Sequence, residues 1–262
     1  MNLGGQTTSL RSRLRIAGAL ETKTPKSQAP GNFIHDLPLF KDISAAEKRD
    51  LFAHEHIQTY HKGQVIFYEG RRPTGLYFVK SGKVKVAKKG LWGKDQIVRL
   101  AKPGDNLTYR AMGGVSQLVA SATALEDSEI SFIDIEDYFR VVKSNAAFAF
   151  RVIQILAQEF DITENKLRDF AQKNVRQRLA EMLLWLHETY GTNPTTGALS
   201  LQVSRDELAN MVGTATENVV RILSEFRKKN ILDIECRNIR IVNSERLRQA
   251  SNPDNAYSAP HP

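Results

Sequence analysis

At 262 residues, with 41% hydrophobic and 25% charged side chains, the chain is long enough for two modest domains with separate cores. Lys and Arg outnumber Asp and Glu by 37 to 29, a net +8 that favours a polyanionic partner, since basic side chains release counterions from phosphate backbones. No run of about 18 apolar residues is present to span a membrane, and the lone Cys236 excludes an internal disulfide framework and suits a reducing cytoplasm.

Residues 1–32 are basic, rich in Ser, Thr and Gly, and without periodicity. They read as a flexible tail, and the lack of a continuous apolar core there argues against export. Residues 33–135 have a β texture. Val65-Ile66-Phe67-Tyr68, Leu76-Tyr77-Phe78-Val79 and the alternating Lys83-Val84-Lys85-Val86 are β-prone runs, with further strands expected at Asp95–Leu100, Ala120–Ala124 and Glu129–Asp134. Gly63, Gly70, Gly75, Gly82, Gly93 and Gly104 fall between these runs, where left-handed turns need no Cβ, and Ser81-Gly82 is placed to close a tight hairpin. The expected unit is a compact antiparallel barrel or roll. His54-x-His56 on a strand would face one side, a pattern open to metal, although exposed histidines in a β-rich lead-in explain it better; no cofactor is expected.

The texture becomes helical over residues 136–172. Ala149, Ile153, Leu156, Phe160, Thr163, Leu167 and Phe170 follow a 3-4 spacing, the seam of a long helix that packs against another helix. Phe148, Val152, Ile155 and Ile162 mark a second apolar face. One helix with two such faces needs two partners. The economical arrangement packs the second face on the chain's own β domain and the seam against a twin in a homodimer.

Residues 173–248 open with an amphipathic helix carrying Leu179, Met182, Leu183 and Leu186, followed by a Gly/Asn/Pro loop. Ser204 followed by Glu207 forms a capping box at the start of a short helix, Leu208 and Val212 share its buried face, and Gly213 stops it. Thr214 with Glu217 is read as a second capping box, opening a helix buried through Val219, Ile222, Leu223 and Phe226. Two short helices joined at a glycine, with small Ala209 allowing close approach, make a helix-turn-helix. Its second helix presents Thr216, Glu217, Val220, Arg221 and Ser224 outward. Arg221 can donate two hydrogen bonds to guanine, Glu217 can accept from cytosine, and Val220 can touch a thymine methyl. An i,i+4 ion pair between Glu217 and Arg221 is the bland alternative. Ser204, Arg205 and Thr214 are counted among the DNA contacts. Ile231–Ile234 and Ile239–Val242 read as a wing hairpin with Arg237 and Arg240 suited to phosphates, and residues 249–262 as a second tail.

This order resembles the Crp/Fnr family of bacterial regulators, over about Phe33 to Leu247. Leu37-Pro38-Leu39-Phe40 and Gly63–Gly82 look like its β-roll, Val175-Arg176-Gln177-Arg178-Leu179-Ala180 like the start of its DNA-binding domain, and Glu217-x-x-x-Arg221 like its reading pattern. The resemblance implies an α+β fold: an antiparallel, cyclic-nucleotide-binding-like β-roll, a long dimerisation helix and a C-terminal winged helix-turn-helix. It implies a cytoplasmic transcription regulator, not an enzyme, working as a homodimer on palindromic double-stranded DNA with RNA polymerase as protein partner and a small-molecule effector of unknown identity. Thr216, where the cyclic-AMP branch has arginine, points to an Fnr-like TTGA half-site. Where cyclic-nucleotide binders carry Gly-Glu-Leu, this chain has Thr108-Tyr109-Arg110, and Leu118-Val119 stands for their Arg-Ser. That leaves a nucleotide phosphate without its cation, so cyclic AMP is not the expected effector, with Tyr109 and Arg110 as the residual pocket candidates. An Fnr-type iron–sulfur cluster needs several cysteines, and Cys236 stands alone. The alternative is a cyclic-nucleotide-dependent module acting through protein contacts.

Overall fold

The computed structural model describes residues 33–90 and 93–252; the tail assigned to 1–32 and residues 253–262 lie outside the described residues. The chain falls into two compact units that meet in sequence at Glu164 and Asn165, inside the long helix rather than at its ends.

The first unit begins with two 3-10 turns, Phe33–Asp36 and Pro38–Phe40, and a helix α1, Ala45–Leu51. Ser44 caps α1: its Oγ accepts from the Glu47 amide at 3.2 Å, and its own amide donates to the Glu47 carboxylate at 2.7 Å. These bonds to Ser44 hold the Glu47 carboxyl below the ordinary carboxylate range. The β texture hides this helix. The signal that would have found it is the Ser44-x-x-Glu47 box.

Seven strands follow: β1 His56–Tyr60, β2 Val65–Phe67, β3 Gly75–Ser81, β4 Val84–Lys88, β5 Gln96–Ala101, β6 Ser121–Ala124 and β7 Ser128–Asp134. They form two antiparallel sheets, β1-β7-β3 and β2-β6-β4-β5. The expected Ser81-Gly82 hairpin is corrected here. β3 pairs with β7 and β4 with β5 and β6, so the turn passes the chain from one sheet to the other. Gly75 also differs from a turn glycine. It starts β3, and a Cβ there would lie 2.3 Å from the Phe132 ring, so close approach rather than left-handed backbone requires it. His54 lies in the turn after α1, not on a strand; its ring meets Asp137 at 2.7 Å, while His56 packs against Phe132.

Between the sheets Phe67, Val79, Val84, Val86, Leu118, Ala122 and Ile130 form one apolar core. A second core joins the N-terminal turns and β3 to the helices that follow, α2 Ile135–Ser144 and α3 Ala146–Gln172. The single helix expected over 136–172 is therefore two. Asn145 makes the break: it ends α2, and its side-chain oxygen accepts from the Phe148 amide at 2.9 Å, capping α3. The second apolar face of α3 packs as expected over its first three residues, while Ile162 is half-buried and outside this core. Phe148 and Val152 are buried in the second core with Ile155 partly covered, and Phe148 lies against Phe40 and Tyr138.

The second unit carries α4 Val175–Tyr190, α5 Arg205–Val212, α6 Thr216–Lys228, the hairpin β8 Leu232–Glu235 with β9 Asn238–Ile241, and α7 Ser244–Ser251. The helix α7 overruns the tail expected from residue 249, with Ala250 and Ser251 buried. Asn243 caps it by accepting from the Arg246 amide.

Candidate nucleic-acid interface

α5 and α6 are built from local signals. Ser204 Oγ accepts from the Glu207 amide at 3.1 Å while the Ser204 amide donates to the Glu207 carboxylate at 2.9 Å. Gly213 then turns the chain at φ 66°, and the Thr214 amide reaches back to the Ala209 carbonyl at 3.1 Å, a closure that an L side chain at 213 would strain. Leu208, Ala209, Met211 and Val212 of α5 face the buried Val219, Ile222, Leu223 and Phe226 stripe of α6. Replacing Ser204 by alanine should cost about 1 kcal/mol through the lost cap, read as a lower midpoint in urea unfolding.

The second expected capping box is absent. The N-cap of α6 is Ala215, which offers no side-chain acceptor, and Thr214 Oγ1 instead accepts from Asn218 Nδ2 at 3.1 Å. Thr216 is also occupied: its hydroxyl donates to the Asp206 carboxylate at 2.6 Å, tying the first turn of α6 to α5. Arg205 turns toward the wing, donating from Nη2 to the Cys236 carbonyl at 3.0 Å. Cys236 holds φ 52° at the tip of the β8–β9 hairpin, so Arg205 braces that turn, and burial lowers its pKa. Arg240 pairs with Asp233 across the hairpin, whereas Arg237 is exposed at its tip.

What α6 leaves outward is Glu217, Val220, Arg221 and Ser224, with Val220 47% exposed. Among the described residues no ion pair joins Glu217 to Arg221, so the bland alternative does not form. The Arg221 charge is felt instead at Glu225, whose carboxyl is held below its ordinary range first by the hydrogen bond from Lys229. The stripe can therefore present donors, an acceptor and an apolar surface side by side.

The seam residues divide. Ile153, Phe160 and Leu167, seven residues apart, are 60%, 62% and 71% exposed, and Thr163 is exposed beside them. Ala149 is half-buried, and Leu156 packs partly on the second core of its own unit. Phe170, 42% exposed, also has partners in its own chain: its ring lies under the Arg178 guanidinium at 4.9 Å and against Gly213.

Tyr109 and Arg110 lie on a 3-10 turn, Tyr109–Gly113. Arg110 Nε donates to the Tyr109 hydroxyl at 3.4 Å. Sequence reasoning missed Arg99, whose guanidinium lies over the Tyr109 ring at 5.5 Å, donates to the Asn106 carbonyl at 3.0 Å and meets Glu159 of α3 at 3.7 Å. Leu118 is buried in the first core, with its amide on the Arg71 carbonyl and its carbonyl accepting from Gly70. No helix among the described residues is long and apolar enough to cross a membrane.

Residues 57–145 match the family model of the cyclic nucleotide-binding domain, and residues 177–250 that of the Crp-like helix-turn-helix domain. The chain belongs to the Crp/Fnr family of transcription regulators. Members with this pair of domains are DNA-binding regulators, not enzymes. A CRP-like cAMP-activated global transcriptional regulator of Mycobacterium tuberculosis is 26% identical over 71% of this chain and 84% of its own length. The cyclic AMP receptor protein of Thermus thermophilus is 28% identical over 74% and 88%. A crystal structure of a Crp/Fnr-family regulator from Eubacterium rectale shares the fold, with a TM-score of 0.70 at 23% identity, covering 82% of this chain and 98% of that one.

Proposed function

We propose that this Crp/Fnr regulator acts as a homodimer on a palindromic double-stranded DNA site, with Arg221 reading a guanine and Glu217 a cytosine in each half, without cyclic AMP as effector. The carrying observation is the outward stripe of α6, where Glu217, Val220, Arg221 and Ser224 are exposed together on a helix whose other face is buried. The N-terminal half of a reading helix enters the major groove, and Arg221 lies on the second turn of α6. Ser204, Arg205, Thr214 and Thr216 act mainly by shaping the two helices and the wing, given the partners they already hold. Thr216 supports a TTGA-type half-site, because it brings no second arginine to the groove.

The homodimer is supported by the exposed Ile153, Phe160 and Leu167 ridge, since large apolar side chains repeated along one helix face mark an interaction surface. Cyclic-AMP independence is supported by Leu118, an apolar side chain in the position where the binders' arginine is expected. RNA polymerase is the protein partner this reading implies, and Tyr109 with Arg110 remains the place to look for an effector. Titrating the protein into a labelled palindrome and into a single half-site tests the arrangement. Two chains per palindrome, with much weaker half-site binding, is expected; equal affinity with one chain on each would overturn the dimer reading.

A further inference from the structure

We infer that Arg178 and Phe170 are positioning residues for DNA reading, latching the turn between α5 and α6 to the end of α3. Arg178 sits in the first turn of α4, and one guanidinium serves three segments. Its Nε donates to the Val212 carbonyl at 2.9 Å, and its Nη1 donates to the carbonyl of Lys173 and, at 3.5 Å, to that of Phe170. Val212 ends α5, where helix carbonyls lack partners within the helix. Phe170 belongs to the last turn of α3, and Lys173 to the link between α3 and α4.

The Phe170 ring completes the latch. The guanidinium lies over it at 4.9 Å, and a Cβ on Gly213 would fall 2.6 Å from Phe170 Cε1. Gly213 therefore meets two demands, a left-handed φ of 66° and room for this ring. Partial burial lowers the Arg178 pKa. The reading helix starts at Thr216, three residues beyond Gly213, and the Thr216–Asp206 bond fixes that start to α5. A shift of α6 against the end of α3 must break the Val212 bond or slide Gly213 off the ring. Leu167 lies one turn before Phe170, so the latch ties the reading head to the last turns of α3. A planar fork of donors is needed for this; lysine carries the charge but cannot span the same carbonyls.

The inference rests on the proposed reading role of α6, and the test separates the two. Arg178→Lys, Arg178→Gln and Phe170→Leu are compared with the unaltered full chain in two ways. One is amide hydrogen exchange; the other is affinity for the duplex that the unaltered chain selects and for a scrambled duplex. In both Arg178 variants, exchange over Gly213–Asn218 should rise about tenfold or more while β8 and β9 keep their protection. The ratio of selected to scrambled affinity should fall roughly tenfold, through loss of the selected duplex rather than the scrambled one. Phe170→Leu should show a smaller change in the same direction, and it carries the test should an Arg178 variant fail to fold. Full recovery by Arg178→Lys, or faster exchange spread evenly over residues 175–251, would overturn the latch. An unaltered chain with no preference among duplexes would instead contradict the reading role, with the exchange arm still deciding the latch.

Discussion

Replacing Arg221 by alanine is expected to abolish the preference for one guanine in each half-site while leaving folding and oligomeric state unchanged. The side chain is exposed on α6 and forms no ion pair with Glu217, so its removal opens no cavity and strands no buried partner. A bidentate arginine–guanine contact gives about 1–3 kcal/mol of discrimination per base pair. A duplex with that guanine replaced should therefore bind the unaltered protein several-fold to a hundredfold more weakly, and the variant equally well. Loss of a phosphate contact would act differently, weakening all duplexes alike and flattening the salt dependence. Competition between the two duplexes at fixed salt measures the difference. Retention of the guanine preference in the variant would remove Arg221 from its assigned role.

The second large effect is expected at the α3 ridge. Replacing both Ile153 and Phe160 by glutamate should convert a dimer into a monomer in sedimentation and weaken operator binding with it. In a symmetric interface each substitution appears on both faces, so four carboxylates would have to leave water together without counter-charges. The structure dictates the choice of residues. Leu156 belongs to the expected seam, but it packs partly on its own roll, so a charge there would damage the first unit as well. Ile153 and Phe160, 60% and 62% exposed, separate association from folding. Persistence of the dimer in this double variant would reject the ridge as the interface.

The elements that carry the proposed function were legible because their determinants are local. Ser204 with Glu207, the left-handed Gly213 and the Val219–Phe226 stripe each act within a few residues of their position. The second capping box failed for a local reason too. Thr214 is drawn into closing α5 through its amide on Ala209, so α6 starts one residue later, beyond Ala215. Some seam residues also make contacts within the chain that their spacing does not show, Leu156 on the second core and Phe170 on Gly213. A straight helix drifts about 20° per heptad from a 3.5-residue repeat. Three heptads after Ala149 that drift amounts to about 60°, and the Phe170 ring, still 42% exposed, also meets Gly213, far along the chain. Nothing in the heptad spacing announces that contact.

Pairings across the fold were likewise hidden. The run over β3 and β4 reads as a hairpin because its turn is short, yet β3 finds its partner in β7. Arg99 on Glu159 and Arg178 on Val212 join residues that only the folded chain brings together. Asn145 was within reach of sequence reasoning: an asparagine three residues before the buried Phe148 is a helix start, and it splits the helical segment where the heptads run on unbroken.

The most direct test is selection from random duplex DNA by the purified, ligand-free chain, repeated with cyclic AMP. An inverted repeat carrying a guanine in each half, recovered equally in both conditions, is the predicted result. Enrichment only with cyclic AMP would contradict the reading of Leu118, and no enrichment in either condition would contradict sequence-specific recognition by α6.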